Sequence, residues 1–269
     1  EDPAISPDGR RIAVRLTGEG EKDNIWIFDR DQGTLARFTV TGNNYSPVWS
    51  PDGRRIAFSS DRDSVQGIYA QPSDGSGPVQ RVFAAGFPIM PATWLRDGRI
   101  VLVAQRPGTR ADVGVLSPGD SVPRWVAAST FGERAVTVSP DARWVAYSSD
   151  RSGQLEVYVQ ALGGEGGVQQ VSVGGGHSPR WSPDGRTIYY GKESSIVAAR
   201  VTMAPRFSVA SRTTFREAPI DFNALNTNYD VDPRSGALLV ILQGGGDTRT
   251  NLVWIQHWPE ILREMETRR

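Results

Sequence analysis

The tetrapeptide Ser-Pro-Asp-Gly recurs along this chain at a nearly constant interval, and this interval limits the possible folds more than any other feature. Complete copies occupy residues 6–9, 50–53 and 182–185, a variant occupies residues 139–142, and looser copies occupy residues 95–98 and 232–236. Their aspartates are separated by 44, 45, 44, 43 and 48 residues. A repeat of this length with several β-strands in each unit is typical of a β-propeller.

Each repeat predicts one turn and up to four strands. The four residues of the motif occupy the positions that they favour in a type I turn followed by a left-handed residue. Runs of β-branched and aromatic residues follow each turn, and only the last repeat lacks a fourth run. We therefore predict an all-β fold, a six-bladed β-propeller of four-stranded antiparallel blades with an incomplete last blade. The blades cover about residues 1–42, 43–86, 87–130, 131–175, 176–218 and 219–258.

The incomplete last blade leaves an exposed strand edge, which proteins normally cover. A strand upstream of residue 1 could cover it, or residues 259–269 could do so. These residues predict a short helical tail outside the propeller of residues 1–258. Pro259 suits the start of a helix, and Ile261, Leu262 and Met265 share one helical face.

Composition excludes several classes of function. The chain has 30 basic and 30 acidic residues and no basic stripe, so we predict no nucleic-acid partner. It has no cysteine, which rules out disulfides and thiolate metal sites. No apolar run approaches the roughly 18 residues of a membrane span, so we predict no direct membrane insertion by this chain.

The sequence contains no recognisable catalytic constellation. It has two histidines, His177 and His257, and no Gly-x-Ser-x-Gly motif. Two histidines without cysteine do not make a usual zinc site, and the paired aspartates at 29 and 31 and at 61 and 63 lack the spacing of a calcium loop. We predict a chain without catalytic activity, metal or cofactor, although a kinase or hydrolase domain could lie upstream in the full polypeptide.

Candidate binding residues lie in the loops that lead into the innermost strands. These loops differ from blade to blade, whereas the turns repeat, and they should gather at one mouth of the central channel. Aromatic anchors mixed with a few polar groups are typical of recognition sites, and a histidine there could make binding depend on pH. Alternatively, the residues only line a water-filled pore. The predicted site consists of Asn44, Tyr45, Phe87, Glu133, Arg134, His177, Asn228 and Tyr229.

Residues 50–62, with the sequence SPDGRRIAFSSDR, resemble the TolB-type propeller repeat. This resemblance extends over nearly the whole chain, but it implies the fold rather than one function, since many proteins share the repeat. The triplet Ser-Asp-Arg recurs at residues 149–151, and we interpret it as structural because it repeats.

A narrower resemblance involves residues 156–160, 170–176, 179–182 and 228–231, together with the final run at residues 252–258. These segments are similar to the propeller region that follows the kinase domain and membrane span of certain bacterial serine/threonine protein kinases. Departures occur at Leu95, Arg96, Ala142 and His257. None of the kinase's own motifs is present, so no catalytic residue transfers.

The resemblance implies a non-catalytic sensor or protein-binding platform, the extracytoplasmic region of a bacterial kinase. The alternatives are a propeller that gates a hydrolase encoded elsewhere in the polypeptide, and a stand-alone TolB-like envelope protein that binds other proteins. The predicted partner is a protein or peptide, or else a small ligand at the channel mouth. The predicted location is extracytoplasmic or periplasmic, with the cytoplasm as the alternative.

Overall fold

The computed structural model describes residues 2–17, 22–203, 206–215, 227–243 and 250–255. The first three blades consist of β1 (Ala4–Ile5), β2 (Arg11–Thr17), β3 (Asp23–Asp29), β4 (Thr34–Arg37), β5 (Asn44–Trp49), β6 (Arg55–Ser60), β7 (Gly67–Pro72), β8 (Gln80–Ala84), β9 (Ile89–Trp94), β10 (Ile100–Ala104), β11 (Asp112–Leu116) and β12 (Arg124–Ala127). A short 3-10 turn, Arg62–Ser64, separates β6 from β7.

The last three blades complete the ring. They consist of β13 (Glu133–Val138), β14 (Trp144–Ser149), β15 (Glu156–Ala161), β16 (Gln169–Gln170), β17 (His177–Trp181), β18 (Thr187–Lys192), β19 (Ser195–Thr202), β20 (Ser208–Phe215), β21 (Tyr229–Val231), β22 (Leu238–Gln243) and β23 (Thr250–Ile255). The described residues include no helix with the length and apolar character of a membrane span.

Five sheets contain four antiparallel strands in sequence order, and the sixth contains three, β21 to β23. The structure therefore has five complete blades, not six, because the described part of the last repeat supplies only three strands. The predicted all-β propeller with an incomplete last blade is confirmed. The predicted helix at residues 259–269 lies outside the described residues, and the predicted domain boundaries stay a prediction.

The innermost strands β1, β5, β9, β13, β17 and β21 follow one another around the ring, and β21 contacts both β17 and β1. The start of each innermost strand lies beside the end of the second strand, as in the pairs Asn44–Ser60 and His177–Gly191. We call this side of the ring the loop face. The opposite side holds the repeated Ser-Pro-Asp-Gly turns, and we call it the turn face.

Each repeated turn is held by its own side chains. In the first turn the Ser6 hydroxyl donates to Asp8 Oδ1 at 2.6 Å, and the Gly9 N–H donates to the Ser6 carbonyl oxygen at 2.8 Å. The turns that begin at residues 50, 139 and 182 repeat both bonds. The hydrogen bond from Ser50 lowers the pKa of Asp52. These aspartates therefore stabilise turns, as their regular spacing predicts.

Neighbouring blades pack through apolar side chains and tryptophans. Trp49 is 7% exposed, and its Nε1 donates to the Ala4 carbonyl oxygen of the preceding blade at 2.9 Å. The Arg11 guanidinium lies 4.7 Å from the centre of the Trp49 ring, and Arg55 stacks in the same way over Trp94. These contacts combine hydrophobic burial with cation–π attraction at successive blade junctions.

The junction between the first and the last blade closes the ring. The Ile5 N–H donates to Asp230 Oδ2 at 2.9 Å, and Arg234 Nη1 donates to the Asp8 carbonyl oxygen at 3.1 Å. Leu239 of β22 is 1% exposed and packs against the first blade's Ile5, Ile12 and Val14. The ring is therefore closed by packing and hydrogen bonds that join residues more than 220 positions apart in sequence.

A candidate binding site in the central cavity

The six innermost strands enclose a central cavity of about 290 Å³. Every one of these strands, or the residues directly before it, contributes to the wall. Much of the wall is apolar or small, and it includes Pro3, Ala4, Pro47, Val48, Met90, Pro91 and Val136. Four charged side chains also line it: Asp2, Arg134, Arg180 and Asp230. The cavity is thus the place where all blades meet and where charges of both signs lie close together.

Asp230 and Arg180 link three blades within this cavity. Arg180 Nε lies 3.4 Å from Asp230 Oδ1, and the other Asp230 oxygen accepts the Ile5 N–H. About 20% of each side chain remains exposed, and this surface faces the cavity. Burial raises the pKa of Asp230, and the Arg180 charge opposes that rise. The pair therefore holds the fifth, sixth and first blades in register at the cavity wall.

Asp2 is the second carboxyl of the cavity. Its carboxylate lies 3.8 Å from Arg15 Nε, and its backbone N–H donates to the Thr227 carbonyl oxygen at 3.2 Å. Burial raises the pKa of Asp2. Burial at the cavity wall thus disfavours the charged form of this carboxyl.

Arg134 supplies the remaining charge. It belongs to β13, and it lines the cavity beside Ala135 and Val136. Its Nε is buried and makes no hydrogen bond to any residue that the structure describes. A buried guanidinium nitrogen without an acceptor is unfavourable, but a ligand in the cavity would meet the exposed part of the Arg134 side chain and not Nε.

A repeated backbone irregularity shapes the cavity wall. Asp2, Ser46, Ala135 and Ser178 have φ values between 51° and 52°, although none is glycine. Each lies four residues before the first residue of its blade's turn motif, and the pairing register shifts there in β5, β13 and β17. Left-handed backbone at residues with a Cβ is strained, and such bulges redirect the side chains beside them.

The structure distributes the eight predicted site residues between the core and the loop face. Asn44, Glu133, Asn228 and Tyr229 are buried, whereas Tyr45, Phe87, Arg134 and His177 are partly exposed. Only Arg134 lines the central cavity. A partner could not touch the four buried side chains without a rearrangement of the loops. The prediction that the eight form one binding mouth stays a prediction.

The buried members of the predicted set have structural partners. Asn44 Nδ2 donates to two carbonyl oxygens of its own loop, and Arg62 donates to Asn44 Oδ1 at 3.1 Å. The Tyr229 hydroxyl donates to the Ser178 carbonyl oxygen across the junction between the fifth and sixth blades. Glu133 accepts the Ser129 hydroxyl at 2.6 Å, and burial raises its pKa.

The partly exposed members are better placed to meet a ligand. Burial raises the pKa of Tyr45, and nearby Asp61 adds to the rise. Burial also lowers the pKa of His177, whose Nδ1 lies 3.3 Å from the Ser178 hydroxyl. Any pH dependence due to His177 is therefore displaced below the ordinary imidazole range.

The Ser-Asp-Arg triplets hold the loops of this face in place. Asp61 accepts both the backbone N–H and the side-chain amide of Asn43, at 2.6 and 2.7 Å, and Asp150 accepts the Gly132 N–H at 3.0 Å. The arginines that follow stack over tyrosine rings, Arg62 over Tyr69 and Arg151 over Tyr158. The triplets are structural, as their recurrence predicts.

Sequence analysis missed Asp2, Arg180 and Asp230. A signal was available for the last two, because each lies two residues before its turn motif. The first three blades have Ala4, Val48 and Thr93 at this position. A charged residue at a position that is otherwise small or apolar indicates a role beyond packing. Within the described residues no cluster of three or more His, Asp or Glu could hold a metal ion.

The profile of PD40, the TolB beta propeller domain, matches residues 1–143. This chain belongs to the TolB beta propeller domain family. The match covers the first three blades and the first strand and turn of the fourth, and related turn motifs follow in the last two blades.

Three proteins with similar sequences illustrate how widely the relatives of this chain differ in length and name. An uncharacterized protein of Agrobacterium fabrum is 30% identical over 202 residues, which are 70% of this chain and 68% of the relative. The uncharacterized peptidase YuxL of Bacillus subtilis is 36% identical over 110 residues, 38% of this chain and 16% of the peptidase. The Tol-Pal system protein TolB of Francisella tularensis is 28% identical over 67% of this chain and 43% of TolB. The chain thus spans less than half of the Francisella tularensis TolB.

Solved structures show the same fold. TolB from Acinetobacter baumannii has a TM-score of 0.64 and 22% identity, over 80% of this chain and 53% of that protein. A TolB-like protein from Agrobacterium tumefaciens has a TM-score of 0.62 and 19% identity, over 95% of this chain and 82% of that protein. The propeller architecture of this chain is therefore shared with these proteins.

Proposed function

We propose that this family member is a non-catalytic, protein-binding platform that receives an extended segment of a partner protein at its central cavity. The cavity itself carries the proposal, because all six innermost strands contribute to it and four charged side chains converge there. The fold relatives named Tol-Pal system protein TolB belong, by that name, to a system with more than one component, which supports a role in protein binding.

A peptide fits this cavity better than a free small molecule does. The volume of about 290 Å³ lies just below the range for small-molecule pockets, which begins at roughly 300 Å³. The wall combines Pro47, Met90 and Pro91 with two arginines and two aspartates. One or two side chains of a peptide, or a chain terminus, would fill the space while the rest of the peptide lies along the loop face.

We further propose that this platform is part of a bacterial transmembrane serine/threonine kinase. Residues 156–160, 170–176 and 228–231 support it through their resemblance to the propeller region of bacterial transmembrane serine/threonine kinases. In that setting the platform would be an extracytoplasmic sensor. The complete gene tests this connection: a kinase domain and a membrane span encoded upstream of residue 1 are expected, and their absence would contradict it.

A second candidate follows from the 36% identity to a Bacillus subtilis peptidase over 110 residues. Here the propeller would control access to a hydrolase domain elsewhere in the polypeptide. A hydrolase domain in the same reading frame would favour this candidate over the kinase connection. A signal peptide directly upstream would favour the third candidate, a stand-alone envelope protein.

Peptide selection tests the binding platform without knowledge of the natural partner. Random peptides displayed on phage are selected on the immobilised protein, and the enriched sequences are synthesised and measured by calorimetry. We expect Arg134→Ala to weaken binding by about tenfold, since it removes a charge-assisted hydrogen bond. Tyr45→Ala and His177→Ala should also weaken it.

Arg54→Ala is the matched control for this experiment. Arg54 is exposed on the turn face, so the substitution removes the same charge far from the cavity. Peptides that bind the wild type and the Arg134 variant equally, or a selection that enriches no peptide, would contradict the proposal. Loss of binding in the Arg54 variant alone would place the binding surface on the turn face.

A further inference from the structure

One position of the innermost strands presents its side chain in the same way in four consecutive blades. It lies five residues before the first residue of the turn motif, and in the second to fifth blades it holds Tyr45, Met90, Arg134 and His177. Each of the four is partly exposed, whereas the residue directly before each of them is buried. They lie at the start of β5, β9, β13 and β17, on the loop face. We call these four the rim residues.

The rim residues form an arc beside the central cavity. Their strands follow one another around the ring, so neighbouring rim residues come from adjacent blades. Met90 and Arg134, in the middle of the arc, line the cavity, and Tyr45 and His177 belong to the blades on either side. A partner segment that reaches the cavity from the loop face at these blades would therefore contact the arc.

The chemistry of the rim residues differs from blade to blade, although their geometry repeats. Tyr45 and Met90 offer aromatic and apolar surface on one half of the arc, and the other half offers N–H groups. Burial raises the pKa of Tyr45 and lowers the pKa of His177, so both are neutral near pH 7 and Arg134 carries the charge of the arc. Aromatic residues, methionine and arginine are enriched at protein interfaces. A position with constant geometry and varied chemistry is suited to the selection of a partner.

Arg134 is the rim residue that can bind a charged group of the partner. Its side chain makes no hydrogen bond or ion pair with any residue that the structure describes. Asp150 lies near enough to interact with this charge, but its two oxygens already accept hydrogen bonds from the Gly132 N–H and from Arg110. The two carboxylates of the cavity also lie beside other arginines. Because a guanidinium group pairs closely with a carboxylate, the exposed part of Arg134 is placed to bind a carboxylate of a protein partner.

We propose that the partner of this platform carries an apolar or aromatic side chain next to a carboxylate, with the first against Tyr45 and Met90 and the second on Arg134. This inference rests on the proposed function, because it specifies the partner of the same surface. Met90 and Arg134 lie on adjacent innermost strands that contact each other, so the two groups should lie close together in an extended segment. The carboxylate belongs to an Asp or Glu side chain or to a C-terminus, since both offer the same two oxygen atoms.

Peptide selection on phage that display free C-termini, followed by calorimetry with one enriched peptide, tests this proposal. We expect enriched peptides to hold a carboxylate within a few residues of an aromatic or aliphatic side chain. Replacement of this carboxylate by its amide should weaken binding to the wild type by about tenfold, as expected when a charge-assisted hydrogen bond is lost. The same replacement should leave binding to the Arg134→Gln variant unchanged. Amidation of the C-terminus alone distinguishes a terminal carboxylate from a side-chain carboxylate.

Arg110→Gln is the matched control, because Arg110 is an exposed arginine of the same face. On this variant the peptide and its amide should still differ in affinity by about tenfold. Met90→Thr introduces the residue that the sixth blade has at this position, Thr227, and it should relax the selection of the apolar residue while the carboxylate remains selected. Melting temperatures show that all three variants fold.

Enriched peptides that bind equally well after every carboxylate is replaced by an amide would overturn the proposal. An equal loss of affinity from this replacement on the wild type and on Arg134→Gln would also overturn it. Both results leave the binding platform intact, because peptides still bind. A selection that enriches no peptide would instead contradict the proposed function and this inference together.

Discussion

Ala142 occupies the position that glycine takes in the complete turn motifs. Its φ is 57°, and its N–H donates to the Ser139 carbonyl oxygen at 2.8 Å, as the Gly9 and Gly53 N–H groups do in their turns. Left-handed backbone costs a residue with a Cβ about 1–2 kcal/mol, and glycine's extra freedom when unfolded offsets part of any gain. Ala142→Gly should stabilise the protein by about 0.5–1 kcal/mol in urea denaturation. A lower urea midpoint would show that the alanine methyl contacts contribute more than the strain.

Glu133 shows how burial couples a single carboxyl to stability. It is 0% exposed, and burial raises its pKa above that of an unfolded chain. As pH rises, the unfolded chain loses the Glu133 proton before the folded protein does. The contribution of Glu133 to stability therefore declines as pH rises through the folded-state pKa. The Glu133→Gln variant should become more stable relative to the wild type as pH rises from 4 to 7. The measurement is the difference in unfolding free energy between variant and wild type at each pH, and substitution of the exposed Glu165 by Gln is the control. A pH-independent difference would contradict the prediction.

At the scale of elements, the loops that lead into the innermost strands are held in their conformation by aspartates of the loop between the second and third strands. Asp61 makes two hydrogen bonds to Asn43, and such bonds to a charged acceptor contribute roughly 1.5–3 kcal/mol each. Asp61→Asn retains one acceptor oxygen, so we expect a loss of about 1–2 kcal/mol and faster hydrogen exchange at the Asn43 amide. Asp63→Asn, an exposed change in the same loop, should alter stability by less than about 0.5 kcal/mol. Unchanged exchange at Asn43 would argue against the role of Asp61.

For the whole molecule, stability depends on closure of the ring between the first and last blades. Leu239 is 1% exposed and packs against the first blade, so Leu239→Ala should leave a cavity at this junction. Such substitutions cost about 2–5 kcal/mol. Leu35→Ala removes the same atoms from the outer strand β4, where the side chain is 48% exposed, and should cost well under 1 kcal/mol. Urea denaturation compares the two, and equal losses would show that the junction contributes little to the stability of the ring.

The sequence alone determined the repeat, the all-β propeller and the roles of the turn aspartates and of the Ser-Asp-Arg triplets. Their bonds join residues of one repeat, such as Ser6 with Asp8 or, across 18 residues, Asp61 with Asn43, so the pattern of the repeat is sufficient to predict them. The sequence also predicted that the last blade would be incomplete, because the last repeat lacks a fourth run of strand-forming residues.

Only the tertiary structure decided which charges meet at the centre of the ring. Asp2, Arg180 and Asp230 come from three blades and converge because the chain closes on itself across more than 220 residues. It also decided which loop residues are buried, as Asn44 and Glu133 are, and which remain accessible, as Arg134 does. Side-chain direction in the innermost strands changes at the left-handed bulges, and a serine or alanine bulge leaves no mark in the sequence that distinguishes it from a regular strand.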